Sequence, residues 1–332
     1  MRGLSTQTAI RLIAVTVQVS LHLITFEADP GADPRELVYL LTEKIGLDKE
    51  WCAKWQTNSA FPSRCQPTLM STLQEPWVPA FDRRLQNKTA LITGGAAGIG
   101  LAIATSFLEQ GAMVLIVDFS QPNLDRARVF LKQKGVDESR YVLHQADAAD
   151  EESVIQSIEK CWKVFGAMDI SILNAGIGGR EAPIVEQSLE DFDKLMHINA
   201  RGAFIGLKES AKKMIAMKRP GAIVLTCSTA GLRSRPNIAC YSMTKFAVRT
   251  LAITAAKELM QYGIRVNSVC PGVVETALLD LFPNAREIAA QSPIGRVGQP
   301  DEIAKVFLFL ASDEASFVTG SCYKVDGGWL DH

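Results

Sequence analysis

The feature that most constrains the fold of this chain is an alternation of two kinds of segment that begins near Lys88. Short apolar runs of strand length alternate with longer amphipathic segments of helical length. Apolar strands joined by helices predict a parallel sheet covered on both faces, here one doubly wound α/β sheet with no second domain after residue 88. The predicted strands are 89–93, 112–117, 140–145, 169–174, 222–227, 264–269 and 321–325, and the predicted helical segments include 99–110, 151–165, 189–217, 242–262 and 301–311.

Composition and charge narrow the classes to which the chain can belong. Its 332 residues, 47% hydrophobic and 21% charged, suffice for one large domain with a sizeable core and an extension. With 35 basic and 36 acidic residues, the net charge is −1, which argues against general electrostatic binding to nucleic acid or to a membrane. The seven cysteines are odd in number and form no Cys-x-x-Cys pair. We therefore expect neither a disulfide framework nor a metal site, and a reducing, cytoplasmic location.

The first 69 residues lack the alternating pattern, and we predict that they form a poorly ordered, dispensable extension. An apolar stretch at 12–26 is shorter than the roughly 20 residues that a membrane helix needs. With its basic start, it leaves open a secretory signal or a mitochondrial presequence in residues 1–26. Residues 58–80 are rich in Ser, Thr, Pro and Gln, as is typical of a linker. We place the boundary near Met70, between an extension at 1–69 and the α/β domain at 70–332.

A glycine-rich loop follows the first predicted strand and opens the next helix. It begins at Thr93 and carries glycines at Gly94, Gly98 and Gly100. Glycine permits a tight turn and a close approach of the backbone to a pyrophosphate, which the free N–H groups of the helix N-terminus would face. Such a loop alone is a weak signal, because a plain strand-to-helix turn can have the same sequence. Its place between a strand and a helix favours a dinucleotide site.

The second predicted strand leads into Asp118. An acidic side chain at this strand end can accept hydrogen bonds from both ribose hydroxyls of NAD, and it would repel the 2′-phosphate of NADP. No arginine or lysine stands at Ala96, Ala97 or Phe119, where such a phosphate could be neutralised. NAD is therefore the predicted cofactor and NADP the less favoured one. The alternative is that Asp118 is an ordinary surface acid.

Polar residues also follow the third and fourth predicted strands. Asp147 stands after the third, and Asn174 and Gly176 stand after the fourth. In a doubly wound fold, an adenine edge and a sugar would pass these strand ends. Taken singly, each residue is more typical of a turn or a helix cap than of a ligand site.

Tyr241 and Lys245 are separated by four positions in a predicted helix, so they share one face of it. A tyrosine hydroxyl with a pKa near 10 is too weak an acid for catalysis at neutral pH, but a nearby ammonium favours the phenolate and lowers that pKa. The pair is a candidate proton donor and acceptor for a carbonyl–alcohol couple, although the spacing itself is common in helices. Ser228 ends the fifth strand and could bind the substrate oxygen, and Asn199 lies in the preceding helical segment.

In order and spacing, these motifs resemble the short-chain dehydrogenases/reductases. The tail resembles the branch of that family similar to 3-oxoacyl-carrier-protein reductases, and the likeness covers roughly residues 84–330. The resemblance implies a Rossmann fold and hydride transfer between a nicotinamide cofactor and an alcohol or ketone. It also implies a homotetramer or homodimer built on the helices at 189–217 and 242–262.

The resemblance further implies a role for each matching residue. Tyr241 would be the general acid and base, Ser228 would orient and polarise the carbonyl, Lys245 would lower the tyrosine pKa and hold the nicotinamide ribose, and Asn199 would support a proton-relay water. The residues expected to bind the cofactor are Thr93, Gly94, Gly98, Ile99, Gly100, Asp118, Asp147, Asn174, Gly176, Tyr241, Lys245, Pro271, Val274 and Thr276.

Substrate choice is expected to depend on residues 275–297, whose leucines and Phe282 suit either a lid over an apolar alcohol or ketone or ordinary helix packing. Loops 178–183 and 231–237 would frame the same pocket, with the arginines at 180, 233 and 235 expected to face solvent. A lyase, isomerase or epimerase that retains its cofactor is the alternative function. A catalytically inactive binding module is disfavoured because all four catalytic residues are present. The sequence leaves the substrate and the direction of reaction open.

Overall fold

The computed structural model describes residues 83–282 and 284–331. The extension at 1–69 and the boundary near Met70 lie outside these residues and remain predictions. Seven parallel strands form one sheet in the order β3-β2-β1-β4-β5-β6-β7, which confirms the predicted doubly wound sheet. The strands are β1 Thr89–Thr93, β2 Met113–Asp118, β3 Tyr141–Gln145, β4 Ile170–Leu173, β5 Gly221–Thr226, β6 Ile264–Pro271 and β7 Cys322–Val325.

All seven predicted strands occur, and their ends agree with the prediction to within two residues. The central strands β1 and β4 are buried along their whole length, as expected where helices cover both faces of a sheet. The strand order reverses between them, because β2 and β3 extend on the β1 side and β5 to β7 on the other. In doubly wound sheets, the crevice outside this reversal is where ligands bind.

Eight α-helices in the described residues connect the strands. Helices α1, α2 and α8 pack on one face of the sheet, around the buried Phe107 and Phe307. On the other face, helix α3 packs against strands β1 and β2, and helices α5 and α6 pack against β4, β5 and β6. The helices are α1 Gly98–Glu109, α2 Gln121–Gln133, α3 Glu151–Phe165, α4 Leu189–Leu195, α5 Gly202–Ala216, α6 Ala239–Leu259, α7 Ala285–Ala290 and α8 Pro300–Ala311.

The segment 189–217 is helical from 189 to 216, as predicted, but it is not α-helical throughout. Helices α4 and α5 are separated by a π-helical turn, Met196–Arg201, which carries Asn199. Single π turns inside helices occur often at functional sites, because the extra residue per turn redirects a side chain. Within the described part of the chain, no helix is long and apolar enough to span a membrane.

Candidate active site

A cleft of about 590 Å³ lies at the carboxyl ends of the strands, where the strand order reverses. It extends from the turn between β1 and α1 to the segment after β6. Thirteen of the sixteen predicted site residues line it, although they are spread over residues 94–276 of the chain. These are Gly94, Gly98, Ile99, Asp118, Asp147, Asn174, Gly176, Ser228, Tyr241, Lys245, Pro271, Val274 and Thr276.

The turn between β1 and α1 has a backbone that requires glycine. Gly94 and Gly98 have φ angles of +60° and +50°, in the left-handed region. A Cβ atom on Gly100 would lie 2.0 Å from the carbonyl oxygen of Gly94, so any side chain there would displace the turn. Gly100 does not line the cleft; its lack of a side chain allows α1 to pack closely against the turn that follows β1.

The N-terminus of α1 is free of side-chain caps. Its N-cap, Ala97, forms no side-chain hydrogen bond, and no acidic residue lies in the first turn. The N–H groups at the start of a helix and the helix dipole favour an anion. Because no described side chain caps this helix or adds a negative charge to its first turn, this end of the cleft fits the pyrophosphate of a dinucleotide.

Asn174 and Thr93 hold this turn in place through hydrogen bonds. The Asn174 side-chain amide donates to the carbonyl oxygens of Thr93 and Gly94, at 3.2 and 3.1 Å, and its Oδ1 accepts from the Thr226 hydroxyl at 3.0 Å. The Thr93 hydroxyl accepts from the N–H groups of Asn174 and Ala175. Thr93 does not line the cleft itself. It holds in place the neighbouring residues that do.

Asp118 and Asp147 both point into the cleft, each with a carboxylate oxygen held by a nearby N–H group. Asp118 is only 8% exposed; its Oδ2 accepts from Ala96 N at 3.1 Å and its Oδ1 from Ser120 N at 3.0 Å. These bonds fix its orientation and leave lone pairs for further donors. Asp147 Oδ1 accepts from Ala149 N at 2.8 Å, the turn role foreseen as its alternative, while the residue still lines the cleft.

Tyr241 and Lys245 lie one turn apart on α6. The Lys245 Nζ is 5.6 Å from the centre of the Tyr241 ring and donates a hydrogen bond to the carbonyl oxygen of Thr226 at 3.1 Å. Lys245 is 5% exposed. A buried ammonium is stable only when it is hydrogen-bonded, so the Thr226 carbonyl holds this charge beside the tyrosine.

Ser228 lies across the cleft from this pair, after the end of β5. Its Oγ accepts from Ala230 N at 3.1 Å and caps a short 3₁₀ turn, so its backbone position is fixed. Among the described residues no hydrogen bond joins its hydroxyl to that of Tyr241. Both residues line the same cleft.

Asn199 is 2% exposed and does not line the cleft. Its amide donates to the carbonyl oxygen of Ile177 and to the Thr244 hydroxyl, at 2.9 and 3.3 Å, and its Oδ1 accepts from Ile177 N at 2.8 Å. Both amide hydrogens are therefore used within the protein. A Cβ on Gly176 would lie 3.2 Å from that Oδ1 and 3.6 Å from the Lys245 Nζ, so a side chain there would require the Asn199 amide to shift slightly.

The segment after β6 closes the other side of the cleft. A bridge between Val274 and Gly298 holds it, with Gly298 N donating to the Val273 carbonyl at 2.9 Å. The following 3₁₀ helix, Ala277–Leu281, and α7 contribute apolar residues to the cleft wall, and the lid interpretation stays a prediction. The apolar residues of this wall are Leu278, Leu279, Phe282, Ala285 and Ile288.

Sequence reasoning missed or misplaced several residues of the cleft, of which Trp329 and Arg235 bear on the substrate. Trp329 lines the cleft because Gly327 and Gly328, with φ angles of +64° and +84°, turn the chain back after β7. The glycine pair was the available signal. Arg235, which we expected to face solvent, instead lines the cleft, whereas Arg233 is exposed as expected.

The cysteines of the described residues are free thiols. Cys270, on β6, has its pKa raised by hydrogen bonding to Cys227 and by burial, so it stays protonated. Between 83 and 331, apart from residue 283, no group of three or more His, Cys, Asp or Glu side chains is placed to hold a metal ion.

Comparison with known proteins places this geometry in a family. A family model described as Enoyl-(Acyl carrier protein) reductase matches residues 94–330. The 3-oxoacyl-[acyl-carrier-protein] reductase of Thermotoga maritima is 38% identical over 247 residues, which are 74% of this chain and 98% of that protein. The NADP-dependent (R)-specific alcohol dehydrogenase of Lentilactobacillus kefiri is 35% identical over 251 residues, 74% of this chain and 98% of that protein.

A crystal structure of levodione reductase superposes with a TM-score of 0.70 and 32% identity, over 75% of this chain and 100% of that one. The fold and these relatives define the class of an α/β oxidoreductase that uses a nicotinamide cofactor. The chain belongs to the short-chain dehydrogenase/reductase family, in the branch similar to 3-oxoacyl-carrier-protein reductases, which confirms the resemblance seen in the sequence.

Proposed function

We propose that this protein transfers a hydride between NAD and a secondary alcohol or its ketone. The observation that carries the proposal is the Lys245 ammonium, 5.6 Å from the Tyr241 ring, in a cleft that Ser228 and the glycine turn share. The relatives whose names describe reduction or alcohol dehydrogenation support the same reaction type.

In this proposal, Tyr241 moves the proton. Its hydroxyl gives a proton to the ketone oxygen in reduction and takes one from the alcohol in oxidation. Lys245 stabilises the phenolate that reduction leaves behind, and Ser228 donates a hydrogen bond that orients and polarises the carbonyl. When bound, the nicotinamide supplies or accepts the hydride. Asn199 acts indirectly, by positioning the Ile177 backbone and Thr244 beside Tyr241.

NAD rather than NADP is proposed because of the charge at the end of β2. The buried Asp118 carboxylate would face the ribose hydroxyls of the adenosine half and would repel a 2′-phosphate. The neighbouring Phe119 is 72% exposed and offers no cation. One relative is named as NADP-dependent, so the proposal depends on Asp118 in this chain and is tested there.

Initial rates with NADH and with NADPH test the function directly. The purified protein should oxidise NADH when given apolar ketones, with a higher kcat/KM for NADH than for NADPH, and should yield the corresponding alcohol. Conversion of a substrate without net change in NADH absorbance would instead support the lyase, isomerase or epimerase alternative. Absence of any turnover across a broad ketone and alcohol panel, with both cofactors, would contradict the proposal.

We also propose that the protein assembles as a homodimer or homotetramer through α5 and α6. These helices expose apolar side chains that a monomer would leave in water: Phe204 is 53%, Met243 52% and Phe246 38% exposed. Light scattering during size-exclusion chromatography should give twice or four times the 36.2 kDa chain mass, and Phe204→Glu should lower it. A wild-type mass of one chain at micromolar concentration would refute the proposal.

A further inference from the structure

Arg235 is the one basic side chain in the apolar part of the cleft wall, within the described residues. It lies on the loop between β5 and α6, and its guanidinium carbon is 5.9 Å from the centre of the Phe282 ring. Phe282 in turn contacts the Tyr241 ring, with centres 6.2 Å apart. Phe282 therefore separates a cation from the tyrosine, and a bound substrate that reaches Tyr241 can extend towards Arg235.

The charge of Arg235 is balanced by Glu181, which lies on a neighbouring loop. One terminal nitrogen of the guanidinium donates to the Glu181 carboxylate, and the two side chains are 28% and 18% exposed. The loops that carry them are fastened together, because Ala182 N donates to the Asn237 carbonyl at 3.0 Å and Gln187 donates to the carbonyls of both. The pair is therefore held in place by the backbone and does not depend on one flexible side chain.

Arg235 keeps donors that Glu181 does not use. A guanidinium has five N–H groups, and Glu181 is its only hydrogen-bond partner among the described residues. A substrate that displaces water from this end of the cleft, without offering an acceptor, would leave these donors unpaired. A site built to donate hydrogen bonds discriminates strongly against a ligand that cannot accept them.

Building on the hydride-transfer function proposed above, we infer that Arg235 determines specificity by binding an uncharged oxygen of the substrate, remote from the reacting carbon. The substrate class is an apolar ketone or alcohol with a second, neutral acceptor such as an ester, amide, ketone or hydroxyl oxygen. A neutral acceptor is favoured over a carboxylate because the Glu181 carboxylate already neutralises the guanidinium and would repel a second anion.

Three matched cyclohexanones test the inference. Each carries one group opposite the ketone: a propyl group, a methyl ester or a carboxylate. With NADH, the wild-type protein should reduce the ester with a kcat/KM roughly 10- to 100-fold above that of the propyl ketone. This discrimination is smaller than at a fully buried polar site because Arg235 is partly exposed. The carboxylate should be the poorest substrate of the three.

Two variants separate the two side chains. Glu181→Gln removes the negative charge, so kcat/KM for the carboxylate should rise about tenfold relative to the ester. The double variant Arg235→Met with Glu181→Gln removes the donors without leaving an unpaired carboxylate, and the preference for the ester over the propyl ketone should fall to within about threefold. Arg233→Met, an exposed arginine on the same loop, is the matched control and should change neither ratio.

Calorimetric Kd values for the same three ketones make the test independent of turnover, and the same ratios are expected. Equal Kd values for ester and propyl ketone in the wild type, or an ester preference that survives in the double variant, would overturn the role of Arg235. Reduction of all three ketones with equal kcat/KM would overturn it while leaving hydride transfer intact. If none is reduced with either cofactor, hydride transfer fails on these probes, and the Kd ratios still decide the role of Arg235.

Discussion

The two halves of the cleft are built in different ways. The cofactor half, formed by the turn 93–100 and by the ends of β2, β3 and β4, is shaped by backbone geometry and by buried hydrogen bonds such as those of Asn174. The substrate half, formed by Arg235, by residues between 277 and 288 and by Trp329, is shaped by side chains; loop 178–183, expected to frame it, contributes no residue to the described lining. Among these lining residues Arg235 carries the one charge, and the secondary structure around it consists of short 3₁₀ turns and the six-residue α7.

This difference separates what is common to a family from what is particular to one chain. A backbone turn that must bring N–H groups to a pyrophosphate tolerates few sequences, whereas an apolar wall accepts many side chains of similar volume. We therefore expect changes in the cofactor half to alter cofactor binding in any reaction, and changes in the substrate half to alter substrate preference alone. Tyr241, which touches both halves, provides the strongest test.

Tyr241→Phe should cause the largest loss. The substitution keeps the ring and its contact with Phe282 but removes the hydroxyl that exchanges a proton with the substrate oxygen. Turnover should fall about 100-fold or more, while the Kd for NADH stays within about threefold of the wild-type value. Tyr262→Phe, at an exposed tyrosine beyond the same helix, is the control and should leave turnover unchanged. Near-normal turnover in Tyr241→Phe would contradict the role of Tyr241 in proton transfer.

Gly100→Ala should have the second-largest effect, and this effect should be confined to the cofactor half of the cleft. The new Cβ would lie 2.0 Å from the Gly94 carbonyl oxygen and 2.7 Å from the Asn174 amide nitrogen, so the turn must move. We expect an unfolding free energy about 1–3 kcal/mol lower and NADH binding at least tenfold weaker, by calorimetry. Gly135→Ala is the control, because Gly135 also has a left-handed φ but no atom lies within 4 Å of the added Cβ. This variant should retain NADH binding. Wild-type NADH affinity in Gly100→Ala would show that the turn is more plastic than its geometry suggests.

These two residues also show how much of the site the sequence predicts. Gly100 and Tyr241 belong to motifs whose spacing reflects one backbone geometry, so the strand, turn and helix around them could be located from the residues. The seven strands are confirmed for the same reason, because a buried parallel strand is a short, nearly continuous apolar run. The π turn at Asn199 could not be predicted, since one extra residue in a helical turn leaves the apolar pattern nearly unchanged.

Asp118→Asn should change cofactor choice by a smaller factor. Asparagine keeps an oxygen that can accept from Ser120 N but removes the charge that would repel a 2′-phosphate. The ratio of kcat/KM for NADH over NADPH should fall about tenfold, and Phe119→Arg added to it should lower the ratio further. Asp125→Ala, at an exposed acid in α2, is the control. A wild-type preference for NADPH would show that the role of Asp118 was misassigned.

Phe282→Ala should act on the substrate half with a modest effect. It removes the ring between Arg235 and Tyr241, so KM for apolar ketones should rise about three- to tenfold while the Kd for NADH is unchanged. Phe317→Ala, at a fully exposed phenylalanine, provides the matched control. If the Kd for NADH rose in Phe282→Ala as much as the KM for ketones, the division of the cleft into a cofactor half and a substrate half would be contradicted.

The substrate half was the less predictable of the two for a physical reason. Arg235 was expected in solvent because a loop arginine usually is, and its partner Glu181 lies 54 positions away in the sequence. Only the folded chain brings the two loops together, through hydrogen bonds between backbone groups that carry no sequence signature. The leucines and Phe282 after Thr276 could be recognised as apolar, but the contact between the Phe282 and Tyr241 rings could not be predicted from the sequence.

The smallest effect is expected from removing residues 1–69. The described residues that line the cleft all stand at 94 or later, and the family model matches residues 94–330. A variant beginning at Met70 should keep its kcat, KM and NADH affinity, with a Tm within about 4 °C of the full chain, as expected when no core contacts are lost. A fluorescent fusion carrying residues 1–69 should remain in the cytoplasm. Insolubility of the shortened chain would mean that the extension packs on the α/β domain. A fusion found in mitochondria or the secretory pathway would identify residues 1–26 as a targeting signal and would overturn the expected cytoplasmic location.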